Sequence, residues 1–269
     1  MEKTIEKYEI VYSITAHEHI ESVYGLYENI IKFNKGLNCL VVFHCEEELY
    51  NLRNTIPTRE NLIFNPIRTK KARFSSSIFF AHFDNYNLLK DYDFDFFCTL
   101  SSNNLFVRHI NFEQIKTETP YLNVNKTGYS LGDKDMWMWD EFIKNHQLHG
   151  LFFECDIEIK VAPHPGAYYR KEVLGFIIDF CKKKGINKEM FVHDVFGAEE
   201  IMFPSLEKYA TGIVSKRYAA CLYGITEKDV MDVINTGSVR TWLRKDYTMV
   251  RINRNPEDKL RKLIGNYIL

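Results

Sequence analysis

The sequence predicts an α/β protein, a mainly parallel sheet flanked by helices in a single domain spanning residues 1–269. Three observations predict it. Short apolar runs rich in β-branched and aromatic residues recur through the first 110 residues. Stretches with apolar residues at helical spacing lie between them. No repeat, low-complexity tract or linker breaks the chain. Strands separated by helices pair in parallel, and such a sheet must be covered on both faces.

Taken in order, Tyr8 to Thr15 (YEIVYSIT) reads as the first strand. HIESVYGLYENIIKF follows as a helix, with Ile20, Val23, Leu26, Tyr27, Ile30 and Ile31 on one stripe. LNCLVVFH is a second strand, Glu46 to Arg53 a short helix, and NLIFNPI a third strand. Ser75 to Leu89 is a helix and Phe94 to Leu100 (FDFFCTL) a fourth strand ending in SSNN. Thr117 to Gly150 reads as loop-rich, and IEIKVAPHPGAYY as β-like. Helices are expected over Arg170 to Lys184, Thr226 to Ile234 and from Pro256 onward, with a strand at YTMVRIN. Ligands of parallel sheets bind beyond the carboxyl ends of the strands. That places Thr15 to Glu18, His44 to Glu46 and Ser101 to Asn104 around one cleft.

A formal net charge of −1 argues against a dedicated nucleic-acid binder, and no nucleic-acid partner is expected. Six scattered cysteines, with no CxxC pair and several inside apolar runs, behave as small reduced hydrophobes and imply a cytoplasmic protein. No apolar run approaches the ~20 residues that span a bilayer, so no transmembrane segment is expected and membrane contact is at most peripheral. GxSxG, P-loop and GxGxxG signatures are absent, and no histidines or cysteines carry zinc-ligand spacing.

The motifs that remain carry rival readings. DYDFDF offers Asp91 and Asp93 as hard oxygen ligands for a divalent cation on a diphosphate, but these residues precede the fourth strand rather than follow it. Lys70 to Arg73 is a short basic run that reads first as solvated surface. Trp137 and Trp139 in DMWMWDEF serve either core packing or a sugar-stacking platform. Glu199 and Glu200 stand where an apolar helix begins. They are there either because a helix amino terminus favours negative charge or because one of them is a catalytic base.

With these features laid out, the chain resembles the core-2/I-branching β-1,6-N-acetylglucosaminyltransferases and their peptide O-xylosyltransferase relatives. The match runs through ordered islands: EIVYSITAHEHIES, KKARFSSS, FDFFCTLSSNNLFVRHINFEQI, HPGAYYRKEVLGFI, GAEEIMFPSL and YTMVRINRNPED. The resemblance implies a GT-A-type, Rossmann-like fold with a nucleotide-sugar-binding half over 1–110 and an acceptor and catalytic half over 111–269. It implies inverting transfer of a sugar of the GlcNAc or xylose class, from a UDP-linked donor to a hydroxyl of a glycan acceptor, with no divalent metal or other cofactor. Glu200 falls on the family's base, with Glu199 as the alternative. Arg251 falls on one of two diphosphate-binding cations; the other falls on Arg217, with Lys216 as the alternative. Ala16, His17, Cys45, Glu46, Lys71 and Asn104 fall on donor nucleotide or sugar positions, and Trp137, Trp139 and Tyr168 on the acceptor side. Departures are plain: Cys45 stands for an Asp, Lys71 for a Tyr, Asn104 for an Asp and Arg251 for a Lys. The membrane anchor and disulfides of the Golgi members have no counterpart, which fits a bacterial or viral enzyme of surface-glycan synthesis. Two alternatives stay open: a non-catalytic glycan- or nucleotide-binding module, and a metal-dependent transferase using Asp91 and Asp93.

Overall fold

The computed structural model describes residues 7–17, 19–68, 77–124, 128–130, 145–163, 165–191, 197–214, 221–222, 225–229, 231 and 248–268. Strand β1 (Lys7–Ala16) is followed by α1 (Ile20–Phe33), β2 (Cys39–Cys45), the short α2 (Glu47–Asn51), β3 (Leu62–Phe64), α3 (Ser77–Leu89) and β4 (Asp93–Ser101). Next come β5 (Asn104–Phe106), α4 (Phe112–Glu118), α5 (His146–Glu154), β6 (Ala167–Arg170), α6 (Lys171–Lys183) and α7 (Ala198–Thr211). β7 (Cys221–Leu222), β8 (Met249–Arg251) and α8 (Lys259–Ile268) complete the order. The main sheet runs β3-β2-β1-β4-β6, parallel except for β6, so the predicted fold class holds.

Alternation along the strands explains why they read as unbroken apolar runs. Ile10, Tyr12, Ile14, Val41, Phe43, Phe96 and Cys98 point to the layer formed with α1. Val11, Leu40, Val42 and Phe97 point to the opposite layer, under α3, α6 and α7, and Phe94 at the start of β4 joins that cluster out of the alternation. Both faces are buried, so neither tolerates a polar alternation. The α3 face carries one polar inlay. Ser13 Oγ lies 2.7 Å from His82 Nδ1 and accepts from Asn85 Nδ2, whose Oδ1 accepts in turn from Asn65.

The sequence did not announce the second sheet, ordered β5-β8-β7. It is fixed to α1 by Asn29, whose side-chain amide donates to Phe106 O and accepts the Phe106 N–H. Nor does the 117–150 stretch lack structure, because α5 lies at its end with Asn145 as its cap. Among the described residues of the β-like stretch and its exit, Ala167–Arg170 forms a strand, and it pairs antiparallel with β4. Residues 157–163 instead bond to α7: Ser205 Oγ joins both the N–H and the C=O of Lys160, and Ala162 N–H donates to Glu200 O. Of the helix expected over Thr226 to Ile234, residues 227–229 and 231 are helical and the rest lie outside the described residues.

Candidate active site at the carboxyl ends of the strands

The parallel strands end together. Thr15 pairs with His44 on one side and Ser101 on the other, and Ala16 with Cys45. The chain leaving each strand folds back on its neighbour: Glu46 N–H donates to Ala16 O at 3.1 Å and Ser102 N–H to Thr15 O at 3.0 Å. Asn104 Oδ1 accepts the Ser101 N–H and closes the turn between β4 and β5. Its strand partner is Arg251, and Ile252 N–H donates to Asn103 O. Two residues far apart in sequence and both expected at the donor are therefore neighbours on one ladder.

Another cation arrives with them. Arg254 Nε donates to Ser102 Oγ at 3.2 Å, and the Arg254 carbonyl accepts from Ser22 Oγ in the first turn of α1. The amino terminus of a 14-residue helix and two arginines thus stand at one strand end. Oriented N–H groups and guanidinium groups both favour an anion there. Sequence reasoning overlooked Arg254, although RINRNP placed a second arginine three positions beyond Arg251 at the exit of the strand.

Helix α7 carries the acid pair. Gly197, at φ 72°, makes the left-handed turn into it, and no side chain among the described residues caps its start. Pro204 lies inside the helix and has no N–H to give the Glu200 carbonyl four residues before it. That carbonyl accepts from Ala162 instead, so the first turn is tied to residues 157–163. Glu199 turns inward and is 7% exposed, and its Oε2 has no hydrogen-bond partner among the described residues. Burial raises its carboxyl to about 8. Its own backbone N–H opposes this, the neighbouring Glu200 charge adds to it, and Arg251 opposes it. Arg251 is therefore within electrostatic reach of Glu199. Glu200 is half-buried. An exposed carboxylate at a helix start does not describe Glu199, which is the enclosed member of the pair.

Several expected contacts are corrected by burial. Tyr168, expected on the acceptor side, is fully enclosed, 3.3 Å from the Tyr12 hydroxyl, and cannot face an acceptor. Cys45 is buried among apolar side chains, and burial pushes its thiol up to about 12, so it presents nothing to a base. Ala16 is likewise enclosed, and the Asn104 side chain shapes the β4–β5 turn rather than reaching a ligand. His17 and Glu46 remain half-buried at the strand ends. Lys71, Trp137, Trp139, Lys216 and Arg217 lie outside the described residues.

Asp91 and Asp93 are exposed at the opposite, amino end of β4, where Asp93 pairs with Lys7. Nine residues of strand, at about 3.3 Å each, separate that end from the turn at Ser102. No group of three or more His, Cys, Asp or Glu among the described residues is placed to hold a metal ion. An open cavity of about 630 Å³ lined by Tyr86, Phe94, Asp95, Arg170 and Asp179 also lies away from the strand ends and contains none of the expected site residues. Cys39, Cys45, Cys98, Cys155 and Cys181 are free thiols, and no helix among the described residues is long and apolar enough to cross a membrane.

No family model and no curated protein matches this sequence. Among solved structures, the apo form of the glycosyltransferase GlyE of Streptococcus pneumoniae TIGR4 matches with 10% identity and a TM-score of 0.43. The match covers 98% of this chain and 60% of that one, so the chain spans about three fifths of that protein's length.

Proposed function

We propose that this chain is a glycosyltransferase that moves a sugar from a nucleotide-sugar donor to a glycan hydroxyl, with inversion and without a divalent metal. One observation carries the reading: the helix start that bears Glu199 and Glu200 encloses Glu199 within electrostatic reach of Arg251, itself the strand partner of Asn104 at the turn leaving the carboxyl end of β4. Glu200 is the base. It is half-buried, so an acceptor hydroxyl has access to it, and it would take that proton as the oxygen attacks the anomeric carbon from the face opposite the leaving nucleotide. Arg251 and Arg254, with the amino terminus of α1, would stabilise the charge that develops on the leaving diphosphate. The donor is proposed to be UDP-linked, of the GlcNAc or xylose class.

A second assignment within the same reading has an observation in its favour. Glu199, at about 8, lies closer to a working pH than an ordinary carboxyl, as suits a general base, but it is nearly inaccessible. The test is a thermal-shift screen of nucleotide sugars in EDTA, followed by NMR assignment of the product's anomeric configuration. A ligand that binds only the folded chain raises its melting temperature. The expected result is a donor that stabilises the chain in EDTA and a product of inverted configuration. Binding abolished by EDTA and restored by Mn²⁺ would overturn metal independence, and no response to any nucleotide sugar would overturn the reading.

A further inference from the structure

Arg261, in the first turn of α8, is 8% exposed although it carries a charge. Burying a guanidinium is costly, and a long apolar side chain would fill the same space at less cost. The burial shows in its titration: desolvation lowers it to about 10, with Asp258 opposing and the nearby Arg254 cation reinforcing the shift. What an apolar residue cannot do is donate in two directions. Arg261 Nε donates to Asn253 O and Nη2 to Ser102 O, both at 3.3 Å. The two carbonyls belong to segments far apart in sequence, the β4–β5 turn and the exit of β8. Ser102 also receives Arg254 through its hydroxyl, and Asp258 Oδ1 holds the Arg261 backbone N–H.

We propose that Arg261 is a positioning residue, one guanidinium fork that locks the Ser102–Asn104 turn to residues 251–254 and so holds Arg251 and Arg254 on a fixed frame at the strand ends. The lock itself follows from the contacts; its consequence for a diphosphate rests on the function proposed above. Without the fork, the buried Ser102 carbonyl and the more exposed Asn253 carbonyl lose their donor, and the remaining ties between the segments, such as Ile252 N–H to Asn103 O, open more readily.

The experiment is hydrogen exchange on the full chain and on its Arg261→Met and Arg261→Lys variants, paired with calorimetric titration of inorganic pyrophosphate. Exchange should quicken about tenfold or more in peptides covering 102–107 and 248–254 of Arg261→Met, while α6 peptides keep their wild-type rates. Arg261→Lys, with its charge but no fork, should fall between. If Arg261→Met does not fold, selective loss of protection in Arg261→Lys carries the test. Unchanged exchange in the two segments, or acceleration spread equally to α6, would overturn the inference. Pyrophosphate affinity should fall about tenfold in Arg261→Met and recover in part in Arg261→Lys. A wild-type chain that ignores pyrophosphate would overturn the diphosphate reading, while exchange still decides the role of Arg261.

Discussion

The two ends of β1 and β4 keep their charges in opposite ways. At the amino ends, Lys7 and Asp95 meet at 2.8 Å with their side chains 55% and 36% exposed, and Asp91 and Asp93 lie at the surface beside them. At the carboxyl ends, Glu199 and Arg261 are more than nine-tenths buried, and burial has moved both from their ordinary titration ranges. Charge at a surface costs a fold little, whereas charge in a protein interior is costly unless it is paired. An enclosed acid and an enclosed cation at one end of the sheet, against Lys7, Asp91 and Asp93 exposed at the other, make the first end the one to test for chemistry. That is why the acidic motif most noticeable in the sequence, DYDFDF, is the less informative one.

The largest expected effect would break this contrast most directly. Glu200→Gln keeps the shape and removes the base, so turnover should fall about 10²–10⁴-fold with little change in donor affinity. Asp93→Asn, at the other end, should leave turnover where it was. A loss on Asp93→Asn that matches the loss on Glu200→Gln would mean that the amino end carries the chemistry. A loss on Glu199→Gln instead of Glu200→Gln would move the base by one residue.

The next effect is on binding. Arg251→Ala should weaken a nucleoside diphosphate about ten- to a hundredfold, the worth of one charge-assisted hydrogen bond, and leave the free nucleoside almost unaffected. Isothermal titration with both ligands checks this. Equal weakening of the two would make Arg251 a scaffold residue, and the site would lose the cation that distinguishes it.

The sheet was legible in the sequence because its strands are buried on both faces and therefore stand out as apolar runs. The second sheet was not, because β5 has three residues and its partner β8 lies far downstream, a pairing that no local pattern encodes. Helix α5 was missed for a milder reason: HQLHGLFFE mixes polar and apolar residues around Gly150, and the Asn145 cap was the available signal. Within the site, the acid pair and Arg251 were legible as residue types. Which glutamate turns inward was not, since neighbours on a helix point about 100° apart and composition does not choose between them. Pro204 held a clue, because it releases the Glu200 carbonyl to bond Ala162 and so sets how the first turn of α7 is tied down. Cys45 and Tyr168 failed as site residues for the opposite reason, since an alignment of residue types does not show which side of a strand is enclosed.

A smaller effect sharpens the contrast by pH. The folded chain keeps the proton of Glu199 up to about 8, whereas an unfolded glutamate loses it near its ordinary 4.5, so this group makes stability fall as pH rises through that window. His44 has the reverse sign. Burial, with Lys188 in support, lowers it to about 4, so between there and its ordinary 6.5 the unfolded chain holds the extra proton and stability rises with pH. The two oppose each other below 6.5, and above it Glu199 acts alone, with a limiting slope of about 1.4 kcal/mol per pH unit. Urea unfolding should therefore show a decline between pH 6.5 and 8 that Glu199→Gln abolishes. A decline that survives the substitution would place its source elsewhere.

The smallest effect belongs to the amino end. Lys7 and Asp95 make a short contact, but both side chains stand in solvent, where water screens the attraction and holding two flexible groups together costs entropy. Lys7→Met should accordingly leave the melting temperature within the scatter of replicate scans, and Asp95→Asn should do the same. Any small difference should shrink as salt rises from 10 mM to a few hundred millimolar, since exposed charges are screened over a shortening distance. Scanning calorimetry of the two variants and of the double variant at both salt concentrations gives the answer. A salt-insensitive loss as large as the stability difference between Glu199→Gln and the wild-type chain at pH 8 would show that the amino-end pair is held as firmly as the enclosed groups of the carboxyl end, and burial would then no longer explain where this sheet places its chemistry.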